Sequence, residues 1–224
     1  MSSVDLVVFD HDGTLVNSLP VVVRASNEVM EAFGYERKPA AEIVAGMVHP
    51  TAPRLGLLAG TVDLGLQQKM ARRYGELAMR FSELAELYPG IEGLLADLKG
   101  LGLPLAVLSN SEGRFVRGIL ERLNVAKQFF CLMGEEDMPA PKPDPRGLHR
   151  ILELAGCDPR RAVYVGDSRT DLETARGAGP RAVGVTWGAH PRVELEELGF
   201  DALVDEPSQL LAHLKVAAPI GQEL

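Results

Sequence analysis

The 224-residue sequence predicts an α/β fold: a parallel sheet covered by helices on both faces, with a helical block inserted after the first strand. Three observations carry this. From residue 91 onward, short apolar runs of strand length alternate with stretches of helical period. The first apolar run, DLVVFD (5–10), stands apart from that series, separated by residues 18–85, which hold no strand pattern. Hydrophobic residues make up 46% and charged residues 24%, a balance that suits a folded chain with a substantial core.

The elements follow in order. DLVVFD reads as a short strand buried on both sides. A helix begins after Ser18 as N-cap, with Pro20 in its first turn, and Gly34 ends it. Residues 40–85 are helical in pattern and broken at GMVHPTAP by Gly46, Pro50 and Pro53. The stretch 66–87 reads as one long amphipathic helix with Leu66, Met70, Leu77, Phe81 and Leu84 on its apolar stripe, and YPG (88–90) closes the block. Then come a helix at 91–102, strand PLAVLS (104–109), helix 113–123 and a short strand near 130–133. Helix 145–155, strand AVYVG (162–166), helix 170–178, strand RAVGVT (181–186), one more helix and a short strand near 202–204 complete the series. The expected division is a core of residues 1–17 and 88–216, a helical insert of 18–87, and a flexible tail of 217–224.

The net charge of −8, from 23 Lys and Arg against 31 Asp and Glu, argues against a nucleic-acid partner. Cys131 and Cys157 show no metal-binding or CxxC spacing and read as reduced thiols. MSSVDLVVFD lacks the basic and long apolar regions of a signal peptide, and no apolar run is long enough to span a membrane. The expected location is the cytoplasm.

Ligands of open parallel sheets bind beyond the carboxyl ends of the strands. Four such ends carry polar residues of one chemical kind. They are Asp10 and Asp12, followed by Gly13 and Thr14; Ser109 and Asn110; Lys142, among prolines in PAPKPDP; and Asp167 with Asp171 in VGDSRTD. Asp10, Asp167 and Asp171, with no convergent His or Cys, suit a hard cation such as Mg²⁺. Lys142, Ser109 and Asn110 would hold phosphate charge. Asp10 is placed to attack phosphorus, and Asp12 to protonate the leaving oxygen and then to deprotonate water. The cation would keep Asp10 ionised while Asp12 keeps a proton.

In this order, D-x-D-G-T, S-N, K-P and G-D-S-x-x-D resemble the four motifs of the haloacid dehalogenase-like hydrolases, over residues 5–187. The resemblance implies a Rossmann-like core with a small α-helical cap, Mg²⁺ dependence and a phosphoaspartate at Asp10. It also implies that the backbone carbonyl of Asp12 and the carboxylate of Asp167 join Asp10 on the metal, with Asp171 supporting from the edge. Dehalogenases of this pattern lack the second aspartate, so Asp12 favours phosphate esters. His11 departs from the pattern, which usually has an aliphatic or aromatic residue there, and is expected to point away from the metal. GVTWG (184–188) resembles a stretch of phosphoglycolate phosphatases and reads as lying outside the chemistry.

The insert is expected to close over the site and select the leaving group. Its loop GMVHPTAPRLG (46–56) offers His49 and Arg54 to a second anionic or polar group, and Arg24 is a further candidate. The function these features indicate is a Mg²⁺-dependent phosphatase of a small phosphorylated metabolite resembling 2-phosphoglycolate, acting as monomer or homodimer without membrane or nucleic-acid partners. A phosphomutase is an alternative on the same core. So is a phosphonatase, which needs a Schiff-base lysine, for which the insert offers Lys38 and Lys69. From another class, a phosphate-receiving signalling module also gathers acids, a hydroxyl and a lysine. Its phosphorylated Asp, however, lies on a later strand, where this chain reads Ser109-Asn110.

Overall fold

Residues 4–214 are described by the structure, a computed structural model. Six parallel strands form one sheet in the order β5-β4-β1-β6-β7-β8. They are β1 (Leu6–Phe9), β4 (Leu105–Leu108), β5 (Cys131–Met133), β6 (Ala162–Gly166), β7 (Arg181–Val185) and β8 (Ala202–Val204). β1 lies between β4 and β6, so the chain's first strand is central, and strand order reverses on its two sides.

Alternate side chains of each strand face opposite ways, which gives two cores. Val7, Phe9, Val107, Val163 and Val183 meet α5 (Ile91–Gly100) and α6 (Gly113–Arg122) on one face. Leu6, Val8, Leu108 and Tyr164 meet α7 (Arg146–Ala155) and α8 (Arg169–Ala178) on the other. All four residues of β1 are buried, as a strand covered on both faces requires. α9 (Arg192–Leu198) and α10 (Leu210–His213) follow β7 and β8.

Between β1 and α5 lies the insert: α1 (Leu19–Ala32), α2 (Ala40–Ala45), α3 (Thr51–Ala59) and α4 (Leu64–Arg80). Its apolar residues, among them Val22, Met30, Leu55, Met70 and Leu77, form one continuous cluster with the first face of the sheet. A two-residue antiparallel ribbon joins insert to core. Val16–Asn17 (β2) pairs with Glu86–Leu87 (β3), Val16 opposite Leu87.

Two local expectations change here. The helix predicted over 66–87 runs over Leu64–Arg80, where the Asp63 side chain caps it by accepting from the N–H groups of Gly65 and Leu66. Its predicted last turns become a 3₁₀ turn at Ser82–Leu84 and then β3. Pairing with Val16–Asn17 and burial of Ala85 override a helical period that runs on in the local sequence. Ser18 stands at the N-cap of α1, but its hydroxyl makes no cap hydrogen bond. Cys131 and Cys157 are free. Among the described residues, no helix is long and apolar enough to cross a membrane. The expected tail 217–224 lies outside the described residues.

Met70 is fully buried where α4 meets the rest of the insert. Met70→Ala should cost about 2–5 kcal/mol, read as a lower urea midpoint at unchanged slope.

Candidate active site

The carboxyl ends of β1, β4 and β6 open on the same side of the sheet because the strands are parallel. A cavity of about 100 Å³ lies over those ends, lined by Asp10, Asp12, Ser109, Lys142 and Asp167 from the core and by Arg54 from the insert, among others.

Lys142 is the centre of this arrangement. Its ammonium donates to Asp10 Oδ1 at 2.6 Å, Asp171 Oδ1 at 2.7 Å and the Tyr164 hydroxyl at 3.2 Å, and the residue is 5% exposed. Burial alone would pull its pKa down, but the charges of Asp10 and Asp171 outweigh that and hold it well above the ordinary lysine value. The loop that carries it is clasped by Asn110. Asn110 Nδ2 donates to the Lys142 carbonyl at 3.0 Å, and the Lys142 N–H donates to Asn110 Oδ1 at 2.7 Å. Asn110 was expected to hold phosphate. Its side chain also lines the cavity, and the second N–H of Nδ2 is not used by the lysine backbone.

Asp171, expected at the metal or at its edge, is hydrogen-bonded through both carboxylate oxygens. Its Oδ1 accepts from Lys142 and from Tyr164 (3.1 Å), and its Oδ2 accepts from the Ser168 N–H (3.1 Å) and hydroxyl (2.5 Å). The second pair belongs to a capping box that starts α8, Ser168 at the N-cap and Asp171 three residues on. Asp171 therefore positions Lys142 and the helix end.

Asp10, Asp167 and Asp171 place one carboxylate oxygen each within 4.8 Å of one another, all three buried. No hydrogen bond from the described residues reaches Asp10 Oδ2 or Asp167 Oδ1, and no backbone N–H donates to the Asp12 carbonyl. These are hard oxygen donors of the kind divalent magnesium takes, so the donor set fits such an ion. The charges agree. Burial pushes the Asp10 carboxyl well up against the opposing pull of Lys142, and the neighbouring acids add to the push. Burial and then Asp171 push Asp167 up to about 7. Crowded carboxylates in this state are relieved by a cation.

Asp167 sits between two glycines. A Cβ on Gly188 would stand 2.3 Å from Asp167 Oδ2. So would one on Gly13, whose φ of +83° already favours glycine. The Ala189 N–H then fixes Oδ2 at 2.8 Å. The segment after β7 thus shapes the site rather than lying outside it.

Asp12 is held from both sides. Ser18 and Ser111 hydroxyls donate to it, Ser111 at 2.7 Å to Oδ2, while the Ser109 hydroxyl is 3.4 Å from the same oxygen. His11 is fully buried, its ring edge-on to Phe115, with Nδ1 3.2 Å from Asp12 Oδ1 but not aligned for a hydrogen bond. Burial pushes the Asp12 carboxyl up, yet the His11 ring and the two hydroxyls outweigh it and hold the group well below the usual range. These surroundings favour the ionised form of Asp12, against the proton expected on it beside a bound cation. Ser109 and Ser111 do not cap α6. Its N-cap is Glu112, which makes no side-chain cap, so the hydroxyls are left to Asp12 and to each other's turn.

In the insert, Arg54 is buried and lines the cavity; exposed His49 stands at its edge. Arg24 lies elsewhere, beside Glu28 (3.6 Å) and over the Phe81 ring (4.1 Å).

The family model described as haloacid dehalogenase-like hydrolase matches residues 7–185. The chain belongs to the haloacid dehalogenase-like hydrolases. This hydrolase is 33% identical over 223 residues to phosphoglycolate phosphatase 1 of Pseudomonas aeruginosa, covering 96% of this chain and 81% of that one. It is 32% identical over 224 residues to the phosphoglycolate phosphatase of Haemophilus influenzae, covering 93% and 97%. Among solved structures, a predicted phosphoglycolate phosphatase of Haemophilus somnus superposes with a TM-score of 0.87 at 25% identity, covering 95% of this chain and 99% of that one.

Tyr164, Ser18, Ser111, Gly188 and Ala189 are the site's contributors that motif reading missed. Tyr164 carried a signal, a hydroxyl inside a strand otherwise apolar, AVYVG. Gly188→Ala should displace Asp167 and weaken Mg²⁺ binding about tenfold or more, read by calorimetry, with the circular dichroism spectrum unchanged.

Proposed function

We propose that this hydrolase is a Mg²⁺-dependent phosphatase of small phosphomonoesters, with 2-phosphoglycolate the leading substrate, acting through an aspartyl phosphate on Asp10. The observation that carries it is the pair of carboxylates with opposite surroundings at the tip of β1. Asp10 has one oxygen anchored by Lys142 and, among the described residues, no donor to the other, while Asp12, lining the same cavity, is braced by hydroxyls. The phosphoglycolate phosphatase relatives support the substrate class.

Asp10, the Asp12 carbonyl and Asp167 would hold Mg²⁺, which supplies charge neutralisation for the phosphoryl group. Ser109 adds a donor to the phosphate oxygens, while Lys142 keeps Asp10 aimed and offsets phosphate charge. One carboxylate oxygen of Asp10 forms a bond to phosphorus, the other being left to the cation, as the bond to the ester oxygen breaks, and the ester oxygen takes a proton from Asp12. A bound phosphate places negative charge beside Asp12 and raises its affinity for the proton it must carry. Water then attacks phosphorus, Asp12 takes its proton, and Asp10 is released with inorganic phosphate. The helical insert of 18–87 acts as the cap that excludes bulk water.

The phosphonatase alternative lacks support. Lys38 lies beside Glu42 (3.8 Å), Lys69 is exposed, and neither lines the cavity.

Phosphate release from a panel of 2-phosphoglycolate, sugar phosphates, nucleotides and pyrophosphate, with and without Mg²⁺, tests the reading. Mg²⁺-dependent release that favours 2-phosphoglycolate is expected, and release from none of the panel by the folded protein would overturn it. Asp10→Asn should lower turnover by about 10³-fold or more, and appreciable residual turnover would reject Asp10 as nucleophile. Asp12→Ala should slow both chemical steps by about 10²–10⁴-fold.

A further inference from the structure

Arg54 is 6% exposed and belongs to the first turns of α3, where it faces the cavity from the insert's side. Its guanidinium carbon lies 4.9 Å from the centroid of the Tyr74 ring, which holds the plane of the group by stacking. Nε and Nη2 are both buried, and neither has a hydrogen-bond partner. Buried donors left unmet on a cation are costly, and arginine does not shed its proton to escape that cost.

Which nitrogens are orphaned matters more than the fact of burial. Nε–H and Nη2–H project in parallel from one edge of the guanidinium, spaced to match two oxygens of one planar or tetrahedral anion. On the core side of the same cavity stand Lys142, Ser109 and the carboxylates of the phosphate-transfer machinery. The cavity therefore has charge on two sides: the phosphate-transfer residues of the core and, from the insert, the Arg54 guanidinium, two of whose donors are closed to water and unmet. At about 100 Å³ the cavity is small, which limits it to a compact ligand.

We propose that Arg54 selects substrates carrying a second anionic group, a carboxylate one or two carbons from the phosphate ester, gripped side-on by Nε and Nη2. This rests on the phosphatase reading above and deepens it. A neutral phosphomonoester of the same size leaves the donor edge unpaired and buried, so the site discriminates by the cost of an unmet charge as well as by the new contact. Lysine could supply the charge at this position but not the edge.

The test compares binding of phosphonoacetate with that of methylphosphonate to the Mg²⁺-loaded full chain by calorimetry, for the native protein, Arg54→Lys and Arg54→Ala. Release of phosphate from 2-phosphoglycolate and ethyl phosphate is followed in parallel. The native chain should favour phosphonoacetate by about 30-fold or more, and Arg54→Ala should shrink that preference to about threefold or less. Arg54→Lys should recover only a small part of it. In turnover, Arg54→Ala should raise KM for 2-phosphoglycolate far more than it lowers kcat. A native protein that does not prefer phosphonoacetate, or an Arg54→Ala variant that keeps the preference, overturns the assignment. Equal weakening of both ligands in Arg54→Ala also overturns it, because it marks a packing role against Tyr74. Tighter binding of 1,2-ethylenediphosphonate than of phosphonoacetate replaces the carboxylate with a second phosphate. Preference for phosphonoacetate without phosphate release from either ester supports the two-anion site while sinking the phosphatase reading.

Discussion

One buried ammonium organises the site. Lys142 joins Asp10 at the tip of β1 to Asp171 at the start of α8, and both bonds are short and closed to water. Buried pairs of this kind lose much of their attraction to desolvation and contribute little net stability, but breaking one leaves an uncompensated charge in the interior. The consequence is geometric discipline. The loop bearing Lys142 must return to one place, and Asn110 holds its backbone there with two hydrogen bonds. Asp10 is thereby held in place, with carboxylate oxygens of Asp10, Asp167 and Asp171 gathered within 4.8 Å of one another.

The parallel sheet explains why residues so far apart in sequence meet. Each strand delivers its carboxyl end to the same edge, so one short polar tip per strand is enough to assemble the chemistry. This is also why fold and core site were legible in the sequence: buried strands read as apolar runs, and the polar residues just past them stood out. Asp10, Asp12, Ser109, Lys142 and Asp167 all line the cavity.

What was not legible came from contacts without local signature. Ser18 and Ser111 look like helix caps in sequence, and only the fold turns their hydroxyls on Asp12. Asn110 reads as a phosphate donor, and nothing in the local sequence says that it also clasps the Lys142 backbone. The end of α4 depends on a two-residue ribbon whose partner lies far up the chain, and helical period cannot see that. Likewise, Gly188 and Ala189 act through close approach and a backbone N–H, neither of which depends on a functional side chain.

That last segment has an optical consequence. The chain has a single tryptophan, Trp187, whose indole N–H donates at 3.0 Å to the carbonyl of Thr14 in the loop that follows Asp12. The next residue is the glycine pressed against Asp167. The protein's one indole fluorophore is thus tethered across the seam between two strand tips, beside the oxygens that fit a cation. Its emission reports the state of that seam in the unlabelled protein.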